Sequence, residues 1–153
     1  MIQTSKSNRL TETSFLDFGQ KFKNNSYNAI TNEIEITVWP EFLDCQISNL
    51  GNLFIWAYHI RLDNHGATPI KLINRHWKII DENGVIQEID GEGVIGEQPL
   101  IAAGKSFQYS SGVHLRHPSG IMTGHYEMKK MTATSLKPPF QPSRSMCRRL
   151  KML

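Results

Sequence analysis

The chain has 153 residues, of which 39% are apolar and 20% charged, and this balance indicates one globular domain and excludes a disordered chain. No run of about 18 apolar residues is present, which excludes a transmembrane helix, and the polar start argues against a secretory signal and favours a cytoplasmic protein. The net charge of +3 comes from residues 137–153, which hold five basic side chains and no acid, so the domain itself does not predict a nucleic-acid partner.

Three parts follow one another along the chain. Residues 1–26 are polar and weakly patterned, which predicts a flexible extension in which the run Phe15 to Phe18 could form a helical turn or lie on the domain. Residues 27–140 carry the regular patterns of a β domain, and residues 141–153 form a basic tail. The extension and the tail are therefore predicted to be removable with little loss of stability.

Alternating apolar residues predict strands throughout the middle part. Ile34 to Val38 alternate with polar residues, and Pro40 is predicted to end that strand. The clearest pattern places five residues on one face of the next strand: Phe54, Trp56, Tyr58, Ile60 and Leu62. A hairpin turn is expected over residues 81–84, because Asn-Gly accepts positive φ. With about seven or more short antiparallel strands and no helical period, the sequence predicts an all-β, two-sheet sandwich.

A glycine-rich loop follows the predicted strand from Val85 to Ile89. Gly91, Gly93 and Gly96 spell G-x-G-x-x-G, but Glu97, Gln98 and Pro99 do not continue as a helix, and no acidic residue lies between Glu97 and Glu127. A dinucleotide-binding fold requires both features. The pattern favours a tight structural loop, and the alternative is an anion site for phosphate or pyrophosphate built from the loop's N–H groups and Glu97.

Acidic and histidine side chains offer two metal hypotheses. Glu88, Asp90 and Glu92 alternate and would share one strand face, where hard cations such as magnesium or cobalt could bind. The alternative is a solvated acidic face. His114 and His117, together with His76 and His125, could supply imidazoles to a transition metal only if a turn brought them together.

Arg75, His76 and Trp77 combine residue types that are common in protein interfaces. One interpretation is an exposed patch that contacts a partner, and the other is a core tryptophan flanked by solvated side chains. No catalytic residue is predicted, because no nucleophile motif is present. Cys45 and Cys147 lie far apart with no CxxC pair, so reduced thiols are expected.

Several runs together resemble the bacterial ApaG family, over about residues 27–140. They are residues 38–42 (VWPEF), 56–60 (WAYHI), 72–77 (LINRHW), 81–84 (DENG), 91–99 (GEGVIGEQP), 109–112 (YSSG), 118–122 (PSGIM) and 124–128 (GHYEM). The resemblance implies an immunoglobulin-like or fibronectin-III-like sandwich without known enzymatic activity. It also implies a link to cobalt resistance and magnesium efflux, and related domains in eukaryotic proteins that bind other proteins. The segment after Met128 departs from the family pattern, because an apolar β segment expected there is replaced by a poorly apolar run.

These observations lead to one functional hypothesis and one alternative. The first is a non-catalytic binding module for a protein partner, without nucleic-acid binding or membrane insertion. The alternative is a small-ligand binder that takes a divalent metal, such as magnesium or cobalt, or a phosphate-containing anion at the loop from Gly91 to Gly96.

Overall fold

A computed structural model describes residues 26–132 with their side chains and the backbone of residues 145–152. In this part of the chain, every regular element is a β-strand. The nine strands are β1 (Tyr27–Thr31), β2 (Ile34–Ser48), β3 (Gly51–Asn64), β4 (Ile70–Asp81), β5 (Ile86–Glu92), β6 (Leu100–Ile101), β7 (Ser106–Leu115), β8 (Gly120–Lys130) and β9 (Ser145–Met152). The predicted all-β class is confirmed.

The strands form two antiparallel sheets. Sheet A has the order β1-β2-β3-β7, and sheet B has the order β5-β4-β8-β9. The two-residue strand β6 pairs with the start of β4, at Ile70 and Lys71. Turn chemistry explains the hairpins: Gly84 has φ 81° between β4 and β5, and Asp81 Oδ1 accepts the N–H groups of Asn83 and Val85. The turn predicted over residues 81–84 is thus present.

The inner faces of the two sheets enclose one apolar core. Trp56, Tyr58, Ile60 and Leu62 of β3 are all buried, as their alternation predicts. The residues that contribute from sheet B include Leu72, Trp77, Ile79, Met122 and Tyr126. The Trp77 ring needs a glycine across the sheet, since a Cβ on Gly124 would lie 2.2 Å from the indole. Gly124 therefore provides the space that the Trp77 ring fills in the core.

Pro40 does not end the second strand, which corrects the sequence prediction. β2 continues through Pro40, which pairs with Tyr58, and it ends only at Ser48. β1 pairs with β2 over Ile34 to Val38 only, so Pro40 lies just beyond the stretch that β1 covers. Proline lacks an N–H donor and is tolerated at a sheet edge, where no ladder bond needs that donor.

A β-bulge in β4 changes which residues face the core. The register with β8 shifts between Leu72 and Asn74, so Ile73 is the extra residue. Leu72 faces the core before the bulge, and Trp77 and Ile79 face it afterwards, five and seven residues later. The carbonyl of Ile73 accepts hydrogen bonds from the N–H of Gly93 at 2.7 Å and from Gln98 Nε2 at 3.1 Å. The bulge therefore anchors the glycine-rich loop.

The basic C-terminal part contributes a strand. Residues of β9 pair with β8 from Gly120↔Met152 to Glu127↔Ser145, which makes β9 the edge of sheet B. The sequence indicates only a basic tail over 141–153, because its alternation is poor. Residues 1–25, 133–144 and 153 lie outside the described residues, so the predicted extension and domain boundaries stay predictions.

Candidate binding surfaces

The glycine-rich loop is built around its own hydrogen bonds. Gly93, Val94 and Glu97 donate their N–H groups to carbonyls of Ile73, Glu97 and Val94, respectively. Ile95 and Gly96 have φ 50° and 74°, which is a two-residue turn with both central residues at positive φ. Because three of the loop's N–H donors are already engaged, the geometry favours the structural interpretation of the loop over an anion site.

The guanidinium of Arg75 supports the same loop. Arg75 Nη1 donates to the carbonyl of Gly93 at 2.6 Å, and the guanidinium lies over Gly91, 3.2 Å from where a Cβ would be. Gly91 therefore provides the room that this side chain needs. Glu97, the fourth residue of the proposed anion site, is exposed.

The interpretation of Arg75, His76 and Trp77 as one exposed contact patch is wrong for the tryptophan. Trp77 is 1% exposed and packs edge-on against Tyr126, with ring centroids 5.3 Å apart. Alternation along β4 explains this, because Trp77 faces the core while His76 faces the opposite side of the sheet. Of the three, Arg75 and His76 line a concavity on sheet B, and Trp77 does not.

The outer face of sheet B carries a polar concavity of about 450 Å³. His76 lies at its centre, hydrogen-bonded through Nδ1 to Asp90 and stacked on His125 with ring centroids 5.2 Å apart. Asn74 Nδ2 donates to Glu127 Oε2 at 2.6 Å at one end. The concavity thus brings together residues that the sequence analysis assigned to separate sites, including Asp90, Glu92 and Gly91.

The three predicted metal-binding carboxylates do not converge. Glu88, Asp90 and Glu92 share one face of β5, as predicted, but each stands opposite a different residue of β4. Glu88 lies 4.0 Å from Lys78 Nζ, and Asp90 is occupied by His76. Within residues 26–132, no three His, Cys, Asp or Glu side chains are grouped to hold a metal ion.

A hydrogen-bonded chain on the outer face of sheet A was not predicted from the sequence. His59 Nδ1 lies 2.6 Å from Ser110 Oγ, and His59 Nε2 lies 3.1 Å from Glu41 Oε2. The order Glu41–His59–Ser110 resembles the arrangement of an activated serine. However, Ser110 lies within a strand, and His59 is only 7% exposed, so its imidazole is poorly accessible. The arrangement links β2, β3 and β7. This contact could not be predicted, because the sequence does not show which residues of neighbouring strands lie opposite one another.

The β2–β3 hairpin extends beyond the core and exposes apolar side chains. Phe42 is 49% exposed, Leu43 54%, Ile47 82% and Leu50 89%. Phe42 pairs with Trp56 and packs edge-on against it, so this surface continues the apolar inner face of sheet A. Along residues 40–48, no described strand pairs with the outer edge of β2. We call Phe42, Leu43, Ile47 and Leu50 the hairpin surface.

A second concavity lies at the end of this hairpin. Its volume is about 480 Å³, and it is formed where the β2–β3 turn meets the β7–β8 loop. Leu50, Phe54 and Pro118 provide its apolar wall, and Arg116 and His117 line it as well. We call it the turn pocket.

Two buried tyrosines lie in the core between the sheets. The hydroxyls of Tyr109 and Tyr126 are hydrogen-bonded to each other across the sandwich. Burial raises the pKa of both phenols above the ordinary value, because the charged phenolate would be poorly solvated there. Their contribution is structural.

The architecture defines the class first: an antiparallel, two-sheet β-sandwich domain whose accessible features are surfaces of its strands and turns. No helix in the described part of the chain is long and apolar enough to cross a membrane.

Comparison with known proteins gives the family. A family model for the ApaG domain matches residues 45–130. Protein ApaG of Paramagnetospirillum magneticum is 48% identical over 103 residues, which cover 67% of this chain and 79% of that protein. Protein ApaG of Agrobacterium fabrum is 46% identical over the same shares. The chain belongs to the ApaG family, as its motifs predicted.

Solved structures agree with the fold. The X-ray structure of Northeast Structural Genomics Consortium target SoR45 superposes with a TM-score of 0.67 at 33% identity, over 82% of this chain and 87% of that one. A structure described as the ApaA protein from Bordetella pertussis gives a TM-score of 0.62 at 30% identity, over 78% and 89%.

Proposed function

We propose that this protein is a non-catalytic binding module that recognises a protein partner through the hairpin surface. The observation that supports this most strongly is the exposure of Phe42, Leu43, Ile47 and Leu50 on one hairpin. Large exposed apolar patches are uncommon on monomeric proteins and mark interaction sites. The resemblance to the ApaG family, with its implied link to cobalt and magnesium, gives an expectation about physiology but no mechanism.

The strand edge supplies a recognition mode. Over residues 40–48, the outer edge of β2 offers backbone groups that no described strand engages. An extended segment of a partner can add to such an edge by main-chain hydrogen bonds, while side-chain contacts give specificity. Leu43 is the extra residue of a bulge between Phe42 and Asp44, and such a bulge limits indiscriminate pairing at an edge.

A capture experiment with matched variants tests this function. Tagged full-length protein is used to retain partners from a cell extract, alongside Ile47→Glu/Leu50→Glu and the control Leu100→Glu. Leu100 is also exposed, at 61%, but lies on β6, away from the hairpin. We expect the double variant to lose the partner and the control to keep it. Equal retention by all three proteins would contradict the proposal.

A further inference from the structure

The turn pocket combines an apolar wall with Arg116, a cation that has no acidic partner among residues 26–132. Arg116 Nη1 lies beside Gly51, 4.0 Å from where a Cβ would be, which places the guanidinium against the β2–β3 turn. Among residues 26–132, the ion pairs formed by arginine and lysine involve Arg61, Lys78 and Lys130, and none involves Arg116. A guanidinium beside apolar side chains is suited to a carboxylate that is itself attached to an apolar segment.

His117 does not remove the preference of the Arg116 guanidinium for a carboxylate. Its Nε2 accepts a hydrogen bond from Asn83 Nδ2 at 2.8 Å, and its Nδ1 lies 3.7 Å from Glu82 Oε1. The neighbouring acids Asp81 and Glu82 are thus turned to the histidine side of the pocket. Arg116 remains the charge available to a ligand.

The pocket also adjoins the hairpin surface. Leu50 belongs to both, and Phe54 lies on the same strand face as Trp56, to which Phe42 packs. β7 pairs with β3 only from Phe54 onwards, so the edge of residues 51–53 facing Arg116 carries no described strand. A segment that contacts Leu50 at the tip of the hairpin can therefore reach both surfaces.

We propose that the turn pocket binds an acidic, apolar segment of the partner protein, with a carboxylate of that segment on Arg116 and a neighbouring aromatic or aliphatic side chain against Leu50 and Phe54. This inference rests on the proposed function, because it names the chemistry of the partner at the same surface. A volume of about 480 Å³ is in the range of sites that hold side-chain-sized ligands.

The test is a titration of the full chain with fluorescent peptides. The probe is a glycine-serine peptide with Phe-Leu-Asp-Phe at its centre. One control peptide replaces Asp by Asn, and another replaces the three apolar residues by Ser. We expect saturable binding of the probe, and at least about tenfold weaker binding of both controls, since each loses one half of the recognition.

Protein variants locate the binding. Arg116→Gln should weaken the probe by at least about tenfold, whereas Arg116→Lys should keep part of the affinity because the charge remains. Lys105→Gln is the matched control, since Lys105 is an exposed cation in the β6–β7 turn, and it should bind like the original protein. Equal binding of the Asp and Asn peptides, or no effect of Arg116→Gln, would overturn the proposal.

The chain's own residues 15–18 have the probe's sequence and are a competing occupant. A full-length variant with Phe15, Asp17 and Phe18 replaced by Ser should bind the probe with unchanged affinity. If this variant bound the probe at least tenfold more tightly than the original protein, residues 15–18 would fill the pocket. That result would overturn the proposal that a separate partner binds there. Partner capture that depends on Ile47 and Leu50 but not on Arg116 would refute this inference alone and leave the proposed function standing.

Discussion

At the residue scale, Gly93 is the position where a side chain fits least well. Its φ is 58°, and a Cβ would lie 1.9 Å from the carbonyl oxygen of Glu97, which is backbone and cannot move aside cheaply. We expect Gly93→Val to lower the free energy of unfolding by on the order of 3 kcal/mol, measured by urea denaturation. Gly96→Ala is the control: its Cβ meets open space, so only the strain of about 1 kcal/mol remains.

The same loop gives a ligand prediction. Because the N–H groups of Gly93, Val94 and Glu97 are already hydrogen-bonded, NAD and ATP at millimolar concentration should leave the melting temperature of the intact protein unchanged. A clear rise with either nucleotide, absent in a still-folded Gly93→Val protein, would restore the anion-binding alternative.

Trp56 reports on the register of sheet A. It is 8% exposed and faces the core, so Trp56→Ala should cost about 3–5 kcal/mol in chemical denaturation. Phe42→Ala removes the neighbouring ring, which is half exposed, and should cost only about 1 kcal/mol. A loss below about 1 kcal/mol for Trp56→Ala would place that face of β3 in solvent.

The buried tyrosine pair predicts a loss of stability in alkali. In the unfolded chain, each phenol ionises near its ordinary pKa of 10.0, whereas burial holds the pKa of Tyr109 and Tyr126 higher in the folded protein. The folded state therefore retains protons that the unfolded state loses, so stability is intact below about pH 10 and falls as pH rises further. Unfolding free energies of Tyr109→Phe/Tyr126→Phe should decline less steeply over that range. Parallel pH profiles would contradict this explanation.

At the element scale, strands with strict alternation could be predicted from the sequence and others could not. The five inward residues of β3 are read directly from its period of two. The continuation of β2 past Pro40 could not be predicted, because tolerance of a proline depends on whether a neighbouring strand needs its N–H. The bulge at Ile73 could not be predicted either, because an extra residue is recognised only from the pairing with the partner strand β8.

The candidate surfaces depend on the same missing information. His76, Asp90 and His125 meet because β5, β4 and β8 pair in one register, and Glu41, His59 and Ser110 meet in the same way across sheet A. The local sequence does not show which residues of neighbouring strands pair with one another. The glycine loop, by contrast, could be assessed from the sequence, because its failure to start a helix is a local property.

β9 gives a prediction about the C-terminal part. Its pairing along Gly120 to Glu127 covers the edge of β8. Although the composition of the tail suggests that it is dispensable, we expect a chain ending at residue 140 to unfold at lower urea concentration and to self-associate, because an exposed strand edge invites pairing. Sedimentation and denaturation of the shortened chain test this. Unchanged stability and a monomeric state would show that β9 adds nothing to the sandwich.

At the scale of the whole molecule, the surfaces divide by chemistry. The outer face of sheet B presents histidine and carboxylate side chains around His76, while the hairpin surface presents apolar ones at the far end of sheet A. Exposed apolar area lowers solubility unless a partner covers it, whereas the polar face is well solvated by water. This contrast is why the hairpin, and not the histidine concavity, is proposed as the partner site.

Photo-crosslinking from the hairpin tests the central claim most directly. A photoreactive amino acid is placed at position 47 in one full-length protein and at position 100 in another, since both side chains are exposed and apolar but only Ile47 belongs to the hairpin surface. After irradiation in cells, the proposed function predicts a discrete crosslinked protein partner from position 47 and none from position 100. No adduct from position 47, or the same adducts from both positions, would contradict recognition through the hairpin.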